Sequence, residues 1–156
     1  MPSYPSQLRA GSGKEKVVLA LRPDLHSVRG AEGTRAQASR AVLREGSHDV
    51  YEVLAGQPEG RDEGPVYSVG EDGPIAVPTG RVFVRLEEGL RAEERRPQLL
   101  AAGFEIEQVP SYAPHAAWLR PREGGVAAAL HGLAALERVP GVVHVEPQLL
   151  RERAAR

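Results

Sequence analysis

A chain of 156 residues can form one domain with an extension, and its formal net charge of −1 gives no overall attraction to nucleic acid or to membrane surfaces. The absence of cysteine excludes disulfides, thiolate metal sites and cysteine nucleophiles. No run approaches the roughly 20 apolar residues that span a bilayer, and residues 1–7 lack the apolar core of a secretion signal, so we expect a cytoplasmic protein with no membrane partner.

The first half of the sequence predicts a flexible N-terminus, residues 1–15, and an extension that spans residues 16–77. The N-terminus mixes Pro, Ser and Gly without periodicity, which is typical of a mobile segment. In the extension, Thr34 can cap a helix over residues 35–45, after a loop over residues 25–33. Predicted strands flank this helix at residues 16–22 and 50–54. An Asp-Gly pair between two later strand-like runs predicts a hairpin, which completes a strand-helix-strand and hairpin extension.

Residues 78–147 show the order strand, helix, strand, strand, helix, strand. The predicted strands lie at residues 80–86, 104–109, 116–120 and 142–146, and the predicted helices at 91–102 and 126–138. Pro97 places the start of the regular part of the first helix near that residue, or kinks the helix there. This order is the signature of a split βαβ sandwich, so we expect an α+β, ferredoxin-like fold (βαββαβ) followed by a C-terminal tail, residues 148–156.

One face of the predicted sheet is left without a helix, because both helices of this topology cover the same side. Strand alternation places Phe83, Trp118, His144 and Tyr112 on that other face. Uncovered apolar patches usually mark a partner-binding surface. The alternative is that residues 16–77 fold over this face and bury the aromatic side chains.

The residue patterns of common enzymes are missing. The five histidines form no i,i+4 pair on one helix and no ligand-spaced cluster, and no serine lies in a nucleophile elbow. An acylphosphatase needs a phosphate-binding glycine loop where Leu86-Glu-Glu-Gly-Leu90 carries two carboxylates. An RNA-recognition module needs a basic surface around its aromatic residues, which is also missing. We therefore expect no catalytic residues, no metal, no cofactor and no nucleic-acid partner.

Three stretches of the second half resemble the prodomain-like region that precedes subtilisin-like serine protease domains. They are Pro78-Thr-Gly-Arg-Val-Phe-Val-Arg-Leu86, Ser111-Tyr-Ala-Pro-His-Ala-Ala-Trp118 and Leu133-Ala-Ala-Leu-Glu-Arg-Val-Pro-Gly-Val-Val-His-Val-Glu-Pro-Gln148. The resemblance covers about residues 65–150. None of the protease domain's own motifs follows, so the resemblance allows a partner protease joined in cis or encoded separately.

The resemblance implies a folding chaperone and inhibitor rather than a catalyst. In that family the prodomain sheet packs on two helices of the catalytic domain, and the C-terminal tail lies in the substrate cleft as an extended strand. Carried over to this sequence, Phe83, Tyr112, Trp118 and His144 dock on the protease. Gln148, Leu149, Leu150 and Arg151 begin the cleft-filling tail, whose composition also permits a helix.

Two other functions stay open. The chain is alternatively a free-standing interaction or regulatory module that binds an unrelated protein through the same face. The last alternative is a small enzyme with a site of unfamiliar design.

Overall fold

A computed structural model of the chain describes residues 4–10, 17–29, 41–45, 49–58, 63–70 and 73–151. The described part of the chain is mostly β. In the described ranges the strands form two antiparallel sheets, one of seven strands that curls into a half-barrel and one of four.

The strands, numbered in chain order, are β1 (Gln7–Ala10), β2 (Val17–Leu21), β3 (Leu25–Arg29), β4 (Ala41–Glu45), β5 (Asp49–Ala55), β6 (Glu63–Gly64), β7 (Tyr67–Ser68), β8 (Ile75–Leu86), β9 (Phe104–Gln108), β10 (Ala116–Pro121) and β11 (Val142–Arg151). The larger sheet has the order β1-β2-β7-β8-β10-β9, with β11 paired to the other edge of β8. The smaller, second sheet has the order β4-β5-β3-β6.

Short helices connect the strands of the second half. A 3-10 turn, Ala92–Arg95, leads into α1, Arg96–Ala101, and α2 (Gly125–His131) is followed by α3 (Leu133–Glu137). Pro97 lies in the first turn of α1, where its missing N–H has no intrahelical partner to lose, so the predicted start of the regular helix is confirmed. The second helix, predicted as one element, is divided at Gly132.

The predicted ferredoxin-like α+β class is wrong for this chain. The predicted order of strands and helices does occur between Ile75 and Arg151, but it does not form an independent layer. The 12-residue β8 also pairs with β7, and through β7 the same sheet continues into β2 and β1. One long strand therefore belongs to both halves of the chain, and the sheet that they share is curled into a half-barrel.

In the predicted strand-helix-strand extension the two strands are confirmed by β2 and β5, but the loop and the helix between them are wrong. Leu25–Arg29, expected to be loop, form β3, and Ala41–Glu45, expected to end a helix, form β4. Both strands pair with β5 over five residues, so backbone pairing prevails over the helix propensity of Ala, Leu, Arg and Glu. Residues 30–40, which include the predicted start of that helix, lie outside the described residues. The predicted hairpin is confirmed by the antiparallel pairing of Tyr67 with Ala76 and of Ser68 with Ile75.

Alternation along β8 divides the interior of the protein. Val82, Val84 and Leu86 face the helices and pack in the main core with Leu99 of α1 and Leu136 of α3. Each fully buried leucine of this kind contributes about 1.5–3 kcal/mol to stability. Both helical segments thus cover one side of the sheet.

The other side of β8 meets the second sheet at its N-terminal end only. Ile75 and Val77 pack there against Leu25 of β3 and Val53 of β5. The residues of β8 beyond Val77 on this side extend past the second sheet, and they carry the surface described next.

Tyr67 of β7 also holds the residues just before β1 against the half-barrel. Its hydroxyl donates a hydrogen bond to the carbonyl oxygen of Pro5 at 2.6 Å, and its side chain is fully buried. Burial, with a smaller effect from Tyr4, raises the pKa of Tyr67 well above its ordinary value. Gln7–Ala10, within the segment expected to be flexible, form β1, while residues 1–3 and 11–16 lie outside the described residues.

Candidate functional site

The side of β11-β8-β10-β9 that faces away from the helices forms a continuous surface, here named the open face. Its residues alternate with the core residues of the same strands, as the strand register requires. The open face consists of Arg81, Phe83 and Arg85 of β8, Glu105 and Glu107 of β9, Trp118 and Arg120 of β10, and His144 and Glu146 of β11.

Two aromatic side chains lie at the centre of the open face. Phe83 and Trp118 are directly opposite in the β8–β10 register, and their rings meet edge to face with centroids 5.1 Å apart and planes at 62°. Both are partly exposed, so the second sheet does not bury them. An edge-to-face pair contributes about 0.5–1.5 kcal/mol beyond its buried area, and here it also presents apolar surface to solvent.

Charged side chains surround this aromatic pair. Arg81 lies over the Trp118 ring, with its guanidinium carbon 4.6 Å from the centroid, and its Nε is 2.7 Å from Glu107 Oε1 in an ion-pair contact. Arg120 Nε donates to Glu105 Oε1 at 2.7 Å. The three arginines of the open face are matched by its three glutamates, so the surface is mixed rather than basic.

His144 occupies the outer strand of the open face. It pairs in register with Arg85, and its Nε2 is 3.2 Å from Glu146 Oε2 on the same strand. Its side chain is mostly buried, with 16% exposed. His144 is therefore on the predicted face, but it contributes little surface for a partner to touch.

Tyr112 is separated from the other residues of the candidate site. It lies in the turn between β9 and β10, and its side chain is 88% exposed. The structure places it at the end of the sheet rather than on the open face. Its large exposed ring still offers a contact for a partner that reaches around that end.

The first four residues of the predicted tail belong to the sheet. Gln148, Leu149, Leu150 and Arg151 are the last residues of β11, and Thr79 donates a hydrogen bond to Gln148 Oε1 at 2.7 Å. Leu149 and Leu150 pack on opposite sides of the strand, in two different apolar clusters. The segment is extended, but it is held by its own chain; residues 152–156 lie outside the described residues.

Six residues of the open face were not predicted as site residues: Arg81, Arg85, Glu105, Glu107, Arg120 and Glu146. The available signal was the same alternation that located Phe83, because residues 81 and 85 lie two positions before and after it on one strand. Glu107 carried no such signal, because its contact with Arg81 crosses the intervening strand β10.

Within the described residues, no group of three or more His, Asp or Glu side chains is placed to hold a metal ion. No helix in the same part of the chain is long and apolar enough to cross a membrane. Comparison of the chain with protein-family models, with curated proteins and with solved structures gives no significant match.

Proposed function

We propose that this chain is a non-catalytic protein-binding module that docks its partner on the open face, and that the partner is a subtilisin-like serine protease domain. In this role the chain inhibits the protease, assists its folding, or does both. The observation that supports docking is the partly exposed Phe83–Trp118 pair, centred on a sheet face that carries arginine on β8 and β10.

The composition of the open face suits a protein better than a nucleic acid. Aromatic residues and arginine are enriched at protein interfaces and supply most of their binding hot spots. Nucleic-acid surfaces need a net positive charge to displace counterions, whereas each of Arg81 and Arg120 already contacts a glutamate. The absence of a nucleic-acid partner remains part of the proposal, as does the cytoplasmic location.

The identity of the partner rests on the sequence resemblance alone. The stretches that carry the resemblance include part of β8, the turn before β10, and α3 with the first part of β11. The strands among them build much of the open face. Because β11 already uses residues 148–151, a cleft-filling segment would start after Arg151. Residues 152–156 reach roughly 17 Å when fully extended, enough to enter a cleft beside the sheet.

An inhibition assay tests the proposal directly. A purified subtilisin-like protease hydrolyses a chromogenic peptide in the presence of the full chain at micromolar excess, and we expect the rate to fall with added chain. Arg85→Glu should weaken inhibition, because it reverses a charge on the exposed part of the open face. Arg122→Glu, in the exposed loop before α2, is the matched control and should inhibit like the parent.

Two truncations separate docking from tail insertion. Deletion of residues 152–156 leaves β11 complete and should weaken inhibition if the tail enters the cleft. Deletion of residues 148–156 also removes part of β11. Any loss of inhibition by this variant must therefore be compared with the loss of stability that the deletion causes. Unchanged hydrolysis with the parent chain would rule out the inhibitor function, and unchanged recovery of a refolding protease would rule out the chaperone function.

A second candidate is an interaction module for an unrelated protein. It is favoured by the half-barrel and its second sheet, which differ from the ferredoxin-like fold that the protease resemblance implies. Capture of partners on immobilised parent chain and on the Arg85→Glu variant distinguishes the two functions. A protein retained only by the parent, and lacking subtilisin-like activity, would favour this second candidate.

A further inference from the structure

The space between the two sheets is apolar at one end and opens into a polar cleft at the other. Next to the apolar contacts of Ile75 and Val77, the cleft extends along Pro78 to Arg81 of β8, with a volume of about 570 Å³. On this edge of β8, strand β7 pairs with Ile75 and Ala76, and strand β10 pairs with the residues from Val82 onward. The cleft therefore lies where the two neighbouring strands diverge, and its volume falls within the roughly 300–1,000 Å³ of small-molecule sites.

Ser27 of β3 contributes a hydroxyl to the wall of this cleft. The residue as a whole is 3% exposed, and it lines the cleft. A Cβ at Gly64, its neighbour on β6, would lie 3.2 Å from Ser27 Oγ, so a side chain at this position would crowd the hydroxyl. A hydroxyl that lines a cleft can donate a hydrogen bond to an acceptor bound there.

Arginine side chains reach the same cleft from the larger sheet. Arg120 uses its Nε for Glu105 at 2.7 Å, and its two terminal nitrogens remain as donors beyond that bond. Arg81 also lines the cleft, and Arg29 does so from the second sheet. A guanidinium offers five donors in a planar fork, which matches the two oxygens of a carboxylate.

The two acidic residues of the cleft are already paired. Glu107 contacts Arg81 at 2.7 Å, and Glu63 Oε1 lies 3.1 Å from His26 Nε2. Tyr51, Pro78 and Pro121 supply apolar wall between these polar groups. The cleft thus combines hydrogen-bond donors for an oxyanion with space for the apolar part of a ligand.

We propose that the cleft between the two sheets binds a small organic acid, whose carboxylate is held by Arg120 and by the Ser27 hydroxyl and whose apolar body lies against Tyr51 and the two prolines. This proposal does not depend on protein docking on the open face, although Arg81, Glu107 and Arg120 belong to both surfaces.

Calorimetric titration of the full chain tests this site. The probes are benzoate and 2-naphthoate, their neutral amides, and inorganic phosphate, all at one ionic strength. We expect each carboxylate to bind saturably at one site and its amide to bind at least about tenfold more weakly. Ser27→Ala and Arg120→Gln should each lower the affinity about tenfold, since each removes a hydrogen bond to a charged group.

The exposed variant Arg122→Gln is the matched control and should bind the carboxylates like the parent. Circular dichroism of each variant checks that it is folded, and Arg120 is exposed enough for its replacement to be tolerated. Absence of saturable binding by both carboxylates would overturn the proposal. So would binding that Ser27→Ala and Arg120→Gln leave unchanged, or binding of phosphate in preference to the carboxylates.

Discussion

Arg81 of β8 lies over the ring of Trp118 of β10, with its guanidinium carbon 4.6 Å from the ring centroid. Beyond the ring the same guanidinium reaches Glu107 of β9, so one side chain crosses three neighbouring strands. The contact covers part of the Trp118 ring, which also meets Phe83 edge to face. The exposure of the aromatic pair at the centre of the open face therefore depends on Arg81.

Replacement of Arg81 by Gln should uncover Trp118 and lower stability. A partly exposed cation–π contact contributes about 0.5–1 kcal/mol, and the partly exposed ion pair with Glu107 adds up to about 1 kcal/mol. We expect stronger quenching of tryptophan fluorescence by acrylamide and a loss of about 1 kcal/mol in the free energy of unfolding in urea. The sequence contains one tryptophan, so the fluorescence reports Trp118 alone.

Arg85→Gln is the control for this experiment. Arg85 is exposed on the same strand and face, but it does not lie over the tryptophan ring. Its replacement should leave both the quenching and the unfolding curve close to those of the parent. Equal quenching in the two variants would contradict the shielding of Trp118 by Arg81.

Space rather than backbone conformation favours glycine at position 132, between α2 and α3. Its φ is −84°, which any residue adopts, but a Cβ at this position would lie 2.6 Å from Cε1 of the buried Phe104 ring. Gly132→Ala should therefore cost about 1–3 kcal/mol in chemical unfolding, although Gly→Ala within a helix usually stabilises. The sign of the change thus distinguishes crowding from helix propensity.

A double variant provides the control. Phe104→Leu shortens the side chain that the new methyl group would meet, so Gly132→Ala should cost less in that background than in the parent. An equal cost in both backgrounds would show that contact with Phe104 is not what makes a side chain at position 132 unfavourable.

Several elements of this fold are predictable from local sequence because their patterns are strong. The apolar alternation of β8, the Gly103 stop after α1 and the Pro140-Gly141 break before β11 each act within a few residues. Strand alternation was also sufficient to place Phe83 and Trp118 together, since the two residues lie opposite each other.

The second sheet was not predictable by the same means. Ala41–Glu45 contain good helix formers, and only pairing with β5 makes them a strand. The end of β11 is similar, because Gln148 to Arg151 permit a helix until Pro78 and Val77 of β8 provide a partner strand. The cleft between the sheets was not predictable either, since Ser27 and Arg120 lie far apart in sequence and line the same cleft only when the two sheets pack.

The final residues of β11 should contribute to stability on both sides of the larger sheet. Leu149 packs with Leu8 and Leu130, and Leu150 packs with Val53 and Val77. Because both leucines are only partly buried, Leu149→Ala and Leu150→Ala should each lower the free energy of unfolding by roughly 1–2 kcal/mol in urea, less than a core leucine.

Val143→Ala, at the other end of β11, is the control for these two variants. Val143 is 52% exposed, so its truncation should change stability by less than about 0.5 kcal/mol. If Leu149→Ala and Leu150→Ala behaved like Val143→Ala, the C-terminal half of β11 would contribute no packing energy.

The buried phenol of Tyr67 should make the protein sensitive to alkali. Burial is the main cause that raises its pKa above the ordinary value of 10.0, so the folded protein holds the proton more tightly than the unfolded chain does. The resulting stability is complete below about pH 10 and is lost as the pH rises further, because the unfolded tyrosine ionises first. The free energy of unfolding should therefore fall with pH above about 10.

Replacement of Tyr67 by Phe should remove this alkaline loss. At pH 7 the variant should be less stable by about 1 kcal/mol, since it lacks the 2.6 Å hydrogen bond to Pro5, but its stability should change less between pH 9 and about pH 11. Urea unfolding across this range measures both effects. Tyr112→Phe is the matched control, because its ring is 88% exposed, and it should follow the parent curve. An unchanged alkaline slope in Tyr67→Phe would assign the loss to another group.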